Sequence, residues 1–232
     1  MYRLLIFLKE PVPGKVKTRL ASELDAEAAC EIYRACVELT LRRLEAFRTQ
    51  AVLCIDPPQA AERIQAWIGA GWTVRPQRGR TLGERLVEAT AAAFSEGATR
   101  VAVIGTDSPW LAASDLDDAF AALESADAVI GPAEDGGYYV LGLARSQPRL
   151  FEGIAWSTSF ICAQTQAQAA WLGLRLARLA TGYDVDQLAD VHRFIEDERR
   201  GGTLQQTVQS IERALNKAQG SRLKAGGEAL EP

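Results

Sequence analysis

Four short stretches of this chain place charged side chains beside glycine or proline, where apolar runs end. The first is KEPVPGKVKTRL, residues 9–20. Pro11, Pro13 and Gly14 form a stiff turn, and Lys15, Lys17 and Arg19 follow at alternate positions with Thr18 among them. Backbone N–H groups in such a turn, a helix start and clustered cations together suit the oxygens of a di- or triphosphate. The G-x-x-x-x-G-K-[ST] spacing of a Walker loop is absent. The competing reading is a solvated basic turn.

The second stretch is IGTDSPWL, where Asp107 leaves the apolar run VAVIG. A carboxylate there suits Mg²⁺, which takes oxygen ligands and shares them with phosphates; alternatively Asp-Ser-Pro is simply a turn. The third is PAEDGGYYVLGL, where Glu134 and Asp135 adjoin Gly136 and Gly137. The glycines let a ligand approach the backbone, and one acid could orient an acceptor hydroxyl or serve as general base. A hairpin-type turn explains the same residues. In the fourth, YDVDQLADV, Asp184 or Asp186 either caps the next helix or, as Asp186, joins Asp107 on one Mg²⁺.

Other candidates are weaker. His192, the single histidine, falls inside an expected helix and reads as a solvated residue. Trp110 and Trp156 read as packing or pocket walls. Cys30, Cys36, Cys54 and Cys162 form no C-x-x-C pair, which argues against a zinc site and for buried, reduced thiols in a cytoplasmic protein. The formal net charge of -4 gives no global field for nucleic acid, so the basic cluster at 15–19 is a local feature. No apolar run has the length of a membrane span.

Strand-like and helix-like segments alternate, as in a three-layer α/β/α fold with a mixed, mainly parallel sheet. Strands are expected at 2–8, 51–55, 72–76, 101–105, 127–132, 138–143 and within 174–180. Helices are expected at 25–47, 60–68, 82–96, 115–124 (capped by Ser114), 160–172 and 187–198. Ile32, Cys36 and Leu39 mark one apolar face of the first. Only AEDGG separates the strands at 127–132 and 138–143, too few residues for a crossover helix, so these two are expected antiparallel. Residues 1–200 read as one α/β domain, followed over 201–232 by a polar helix at 203–219 and a frayed tail from 221.

In order, FLKEPVPGKVKTRL, LGERL, IGTDSPWL, GPAEDGGYYVLGL, IAWST and YDVDQLADV resemble a glycosyltransferase-A-fold family. That family, of the nucleotide-diphospho-sugar transferase superfamily, is labelled as radical-SAM/selenodomain-associated or arsenosugar glycosyltransferases. Parts are also similar to 2-phospholactate and molybdenum-cofactor guanylyltransferases. The resemblance implies a nucleotide-activated donor, with phosphates on Pro13, Gly14, Lys15, Lys17, Thr18 and Arg19 and the base against Leu82 and Gly83. It implies Mg²⁺ (or Mn²⁺) on Asp107 and Asp186, and a small-molecule acceptor near Gly136, Gly137, Tyr138 and Trp156. Asp135, Glu134 and Lys17 would be catalytic. The sequence departs from the family at Thr81, where an acid is usual, and at Gln187-Leu188-Ala189, where Thr-Pro-Glu is usual.

The family label makes glycosyl transfer from a nucleotide diphosphate sugar to a small acceptor the leading expectation. The cationic loop is equally compatible with nucleotidyl transfer from an NTP to a phosphorylated small molecule, with release of pyrophosphate. A non-catalytic nucleotide-binding module is the reading from a different class.

Overall fold

The computed structural model describes residues 1–201 and 205–227. In chain order the elements are β1 (Tyr2–Lys9), α1 (Thr18–Glu23), α2 (Ala26–Arg43), β2 (Ala51–Asp56), α3 (Ala61–Ile68), β3 (Thr73–Pro76) and α4 (Leu82–Ser95). They continue as β4 (Arg100–Ile104), α5 (Ala113–Ala122), β5 (Ala128–Pro132), β6 (Tyr138–Leu143), α6 (Ile161–Trp171), β7 (Leu176–Arg178), α7 (Leu188–Gly201) and α8 (Gln205–Gly227). The strands form one seven-stranded sheet in the order β3-β2-β1-β4-β6-β5-β7. Only β6 runs against the others, pairing antiparallel with both β4 and β5. The five-residue turn at 133–137 is the cause, since it can only reverse the chain.

Helices lie on both faces. Leu4, Ile6, Leu53 and Ile55 pack beneath α2, α3 and α5. Leu5, Val52, Val101 and Val103 pack beneath α4 and α6. The near-continuous apolar strands follow from burial on both sides. This is the mixed, mainly parallel α/β/α architecture read from the sequence, with α1 as an added short helix.

Two local expectations are corrected. Ser114 does not cap α5. The helix starts two residues earlier, with Ala112 at the N-cap, and the Ala112 N–H donates to Asp115 Oδ2 at 2.7 Å. The helix expected at 203–219 is amphipathic rather than simply polar: Val208, Ile211, Ala214, Leu215 and Ala218 are buried in a cluster with α1, α2 and α7. The face Ile32–Cys36–Leu39 belongs to that outer cluster, while Tyr33, Val37 and Leu41 on the opposite face of α2 meet the sheet. Residues 221–227 of the expected tail continue α8; residues 202–204 and 228–232 lie outside the described residues. Among the described residues no helix is long and apolar enough to cross a membrane.

Candidate active site

The parallel strands all end at one edge of the sheet, which is where open α/β sheets bind ligands. The chain leaves β1 into Lys9–Arg19 and β4 into Asp107. The Glu134–Gly137 turn precedes β6, and Tyr183–Asp186 follows β7. The sheet thus brings four distant stretches to one rim.

Lys17 sits at the centre. It is the N-cap residue of α1 and takes the left-handed conformation (φ 46°, ψ 48°). Its ammonium donates to Asp107 Oδ1 at 2.5 Å and to Asp186 Oδ1 at 2.9 Å. The Lys17 side chain is 2% exposed, whereas those of Asp107 and Asp186 are 48% and 33% exposed. Burial opposes the charge on Lys17, but the two carboxylates outweigh it and hold the ammonium well above its ordinary pKa. Arg19 Nη1 lies 3.9 Å from Asp186 Oδ2, an ion pair without a hydrogen bond. Lys15 is exposed nearby, and its N–H donates to Val12 C=O at 3.0 Å, closing the turn. Exposed Pro13 and Gly14 (φ 76°) shape this turn rather than line the cavity behind it.

The acidic side is equally fixed. The Val185 N–H donates to the Asp107 C=O at 2.7 Å, sewing the fourth stretch to the second. Val185 is fully buried, while the aspartates on either side of it meet polar partners. Asp186 reaches Lys17, and Asp184 accepts a short hydrogen bond from the Ser108 hydroxyl. Burial above all, and then the Asp107 carboxylate, push the Asp184 carboxyl up to about 7. Neither aspartate caps α7. That work falls to Asp190, whose Oδ2 accepts from the N–H groups of Asp186 (3.1 Å) and Gln187 (2.8 Å).

A cavity of about 300 Å³ opens in front of Lys17, lined by Lys9, Lys15, Val16, Thr18, Arg19, Tyr33, Asp107 and Asp186. Tyr33 is a site residue that sequence reasoning missed. Its hydroxyl accepts from the Lys9 N–H at 2.8 Å and donates to the Lys9 C=O at 3.1 Å, pinning the end of β1. Its position inside a regular apolar helix pattern gave no sign of this. Ser108 was likewise hidden inside turn chemistry, and Asp184 was read only as a helix cap.

The residues expected at the base and at the acceptor come out differently arranged. Gly83 lies in the first turn of α4, and a Cβ there would stand 2.5 Å from Trp156 Nε1. These two residues, expected to hold different parts of the substrates, line one hollow of about 470 Å³ with Thr81, Val87 and Phe151. Leu82 is exposed beside it. Thr81 caps α4 by accepting from the Glu84 N–H at 3.2 Å.

At the 133–137 turn, Asp135 Oδ1 accepts from the Gly137 N–H at 2.8 Å and its carboxylate is exposed. Gly136 (φ 90°) is pressed against Ser159, and its C=O accepts from the Cys162 N–H at 2.9 Å. Glu134 is engaged by Arg193 of α7 through two hydrogen bonds of 2.7 and 3.1 Å, which hold its carboxyl below the usual range. The Tyr138 hydroxyl is buried without a partner among the described residues, so it faces the core rather than the cleft.

Asp107 Oδ1 and Asp186 Oδ1 converge on a single point, now held by the Lys17 ammonium, and both carboxylates remain partly open to the cavity. Two converging carboxylate oxygens fit a hard divalent cation that completes its shell with phosphate and water. Among the described residues no group of three or more His, Cys, Asp or Glu forms a closed metal cage. An ion held here would share itself with a ligand.

Comparison with known proteins agrees with this fold. The family model described as "Uncharacterized protein conserved in bacteria (DUF2064)" matches residues 40–158. The structure of a provisionally named nucleotide-diphospho-sugar transferase from Desulfovibrio desulfuricans superposes with a TM-score of 0.86 at 30% identity, over 94% of this chain and 97% of that one. A phosphoenolpyruvate guanylyltransferase from Sphaerobacter thermophilus is 28% identical over 181 residues, covering 77% of this chain and 86% of that protein. A cytidylyltransferase from Leptospira borgpetersenii shares the fold at a TM-score of 0.56 and 13% identity, over 93% of this chain and 94% of that one.

Proposed function

Since the chain belongs to the family of uncharacterized proteins conserved in bacteria (DUF2064), we propose its activity from the chemistry of the cleft: it transfers a nucleotidyl group from a nucleoside triphosphate to a small acceptor. The observation that carries this reading is the buried Lys17 ammonium bridging two half-open carboxylates, with exposed Lys15 and Arg19 beside it. Three cations within five residues match the charge of a triphosphate better than that of a diphosphate. Likeness to a guanylyltransferase supports the same choice and makes GTP the first donor to test.

In this reaction an acceptor oxygen attacks the α-phosphorus. The new P–O bond forms as the bond to the bridging oxygen of the β-phosphate breaks, and pyrophosphate leaves with the electron pair. The protein's part is positioning and charge neutralisation. Lys15, Lys17, Thr18 and Arg19 hold the phosphates, and Lys17 meets the charge that develops on the leaving group. Asp107 and Asp186 would hold Mg²⁺ or Mn²⁺, which supplies Lewis-acid stabilisation of that charge. Asp135 orients the acceptor by accepting a hydrogen bond from its hydroxyl. Glu134, tied to Arg193, holds the turn that carries Asp135.

Glycosyl transfer from a nucleotide sugar is the second reading. What favours it is the hollow of about 470 Å³ beside Gly83, whose wall includes the Trp156 indole. The test is product release. Each NTP is incubated with Mg²⁺ and a panel of phosphorylated and carboxylate acceptors, and pyrophosphate is measured. Nucleotide sugars are run in parallel for nucleoside diphosphate. Pyrophosphate release that depends on acceptor and is lost in Asp107→Asn supports nucleotidyl transfer. Diphosphate release from a nucleotide sugar, with no pyrophosphate from any NTP, overturns it for glycosyl transfer. Nucleotide binding without either product restores the binding-module reading.

A further inference from the structure

A second cavity, which the proposed reaction does not use, lies on the α4 face of the sheet. It measures about 330 Å³ and shares no lining residue with the cavity at Lys17. Its sheet side is apolar: Leu5 stands in register with Val52, and Cys54 lies two residues further along β2. Its helix side is made of small residues, Ala89, Ala92 and Ala93, and their shortness leaves the space open. Burial pushes the Cys54 thiol up to about 12, so it adds no negative charge to the floor.

Three arginines stand around this apolar floor with two glutamates. Arg75 is engaged with Glu96. Arg78 Nη1 is 3.9 Å from Glu88, too far for a hydrogen bond. Arg3 Nε is buried with no hydrogen-bond partner among the described residues. A buried donor left unpaired is costly, and native structures seldom tolerate one without a water, ion or ligand to meet it. The lining therefore combines the Arg3 guanidinium, whose Nε is buried behind the cavity wall without a partner among the described residues, one loosely held guanidinium and an apolar surface between sheet and helix.

We propose that this cavity is a binding site for a small organic anion, a carboxylate or phosphate monoester whose head pairs with Arg3 and Arg78 and whose apolar body rests between Cys54 and the α4 alanines. Guanidinium groups favour planar or tetrahedral oxyanions because several N–H donors fit them at once. The apolar floor adds preference for an organic body over a bare ion.

The test uses the full chain with ¹³C-methyl alanine, no nucleotide, and phenyl phosphate as the probe. Because no nucleotide enters, its failure leaves the transferase reading standing, and failure of that reading leaves this one testable. The methyl signals of Ala89, Ala92 and Ala93 are expected to shift and saturate with phenyl phosphate. Inorganic phosphate should bind at least about tenfold more weakly, as should phenyl phosphate to Arg3→Gln, a loss in the range of one charge-assisted hydrogen bond. Arg78→Gln, at an exposed position, repeats the test if Arg3→Gln does not fold. Ala92→Leu, which fills the space, should abolish the shifts. Alanine signals that stay still, or that shift equally in the arginine variants, overturn the proposal.

Discussion

The ammonium of Lys17 reaches across 169 positions of chain to Asp186 and ends 2.9 Å from its Oδ1, with Asp107 on its other side. A lysine thereby keeps two carboxylates together at the point where a divalent cation would suit them. Replacing it by methionine leaves the acids facing each other uncompensated. Breaking a fully buried pair costs about 3–5 kcal/mol, and because the carboxylates here are partly exposed we expect Lys17→Met to lose about 2 kcal/mol. Millimolar Mg²⁺ should restore more stability to Lys17→Met than it adds to wild type. Urea unfolding midpoints with and without Mg²⁺ decide this; an equal effect on both proteins would mean that the acidic pair does not collect the cation.

Asp184 makes stability depend on pH. Its carboxyl is raised from 3.8 to about 7 in the folded protein, chiefly by burial. Between those values the folded state keeps a proton that the unfolded chain has released, so stability falls as pH rises through the window and levels off above about 7. In Asp184→Asn this fall should vanish, and the variant should gain on wild type as pH rises from about 5 to about 8. Chemical unfolding across that range without added metal is the measurement. Parallel pH curves for the two proteins would remove Asp184 as the source.

The sheet was legible because its strands are apolar runs and because AEDGG is too short for anything but a reversal. The rim was legible because Lys17, Asp107 and Asp186 all lie in loops that follow expected strands, Asp107 directly after VAVIG. What lay beyond sequence was which face meets what. Ile32, Cys36 and Leu39 make a clean apolar stripe, yet they meet α7 and α8 rather than the sheet, since α2 is buried on two sides and one stripe cannot say which layer it faces. Partners across long separations were equally hidden: nothing local to Glu134 announces Arg193, and nothing local to Gly83 announces Trp156.

Gly136 is the tightest point of the turn that presents Asp135. Its φ of 90° disfavours any side chain, and a Cβ would come 1.9 Å from the Ser159 carbonyl oxygen, which is backbone and cannot swing away. Gly136→Ala should therefore displace the 157–160 segment or the turn itself and lose at least about 2 kcal/mol, in the range of strained left-handed substitutions combined with overpacking. A thermal melt reads the loss directly. A variant within about 0.5 kcal/mol of wild type, the usual span of a neutral surface change, would mean that the two loops separate freely.

Glu134 and Asp135 are neighbours with different engagements, and substitution should separate them. The Glu134–Arg193 pair is exposed, so Glu134→Gln and Arg193→Ala should each change stability by less than about 1 kcal/mol. Arg193 also lies over the Tyr183 ring at 3.8 Å, and Tyr183 directly precedes the Asp184–Asp186 segment. Loosening this clamp should raise the KM for acceptor while leaving nucleotide affinity near wild type, and the double variant should be no worse than the more affected single one. Asp135→Asn, which keeps the Gly137 hydrogen bond but removes the charge, should instead lower kcat with little change in stability. Steady-state kinetics on the four proteins, once the acceptor is in hand, distinguishes the roles. If Glu134→Gln lowered kcat as far as Asp135→Asn, with KM unmoved, Glu134 would act on the reacting atoms and Arg193 would serve to position it.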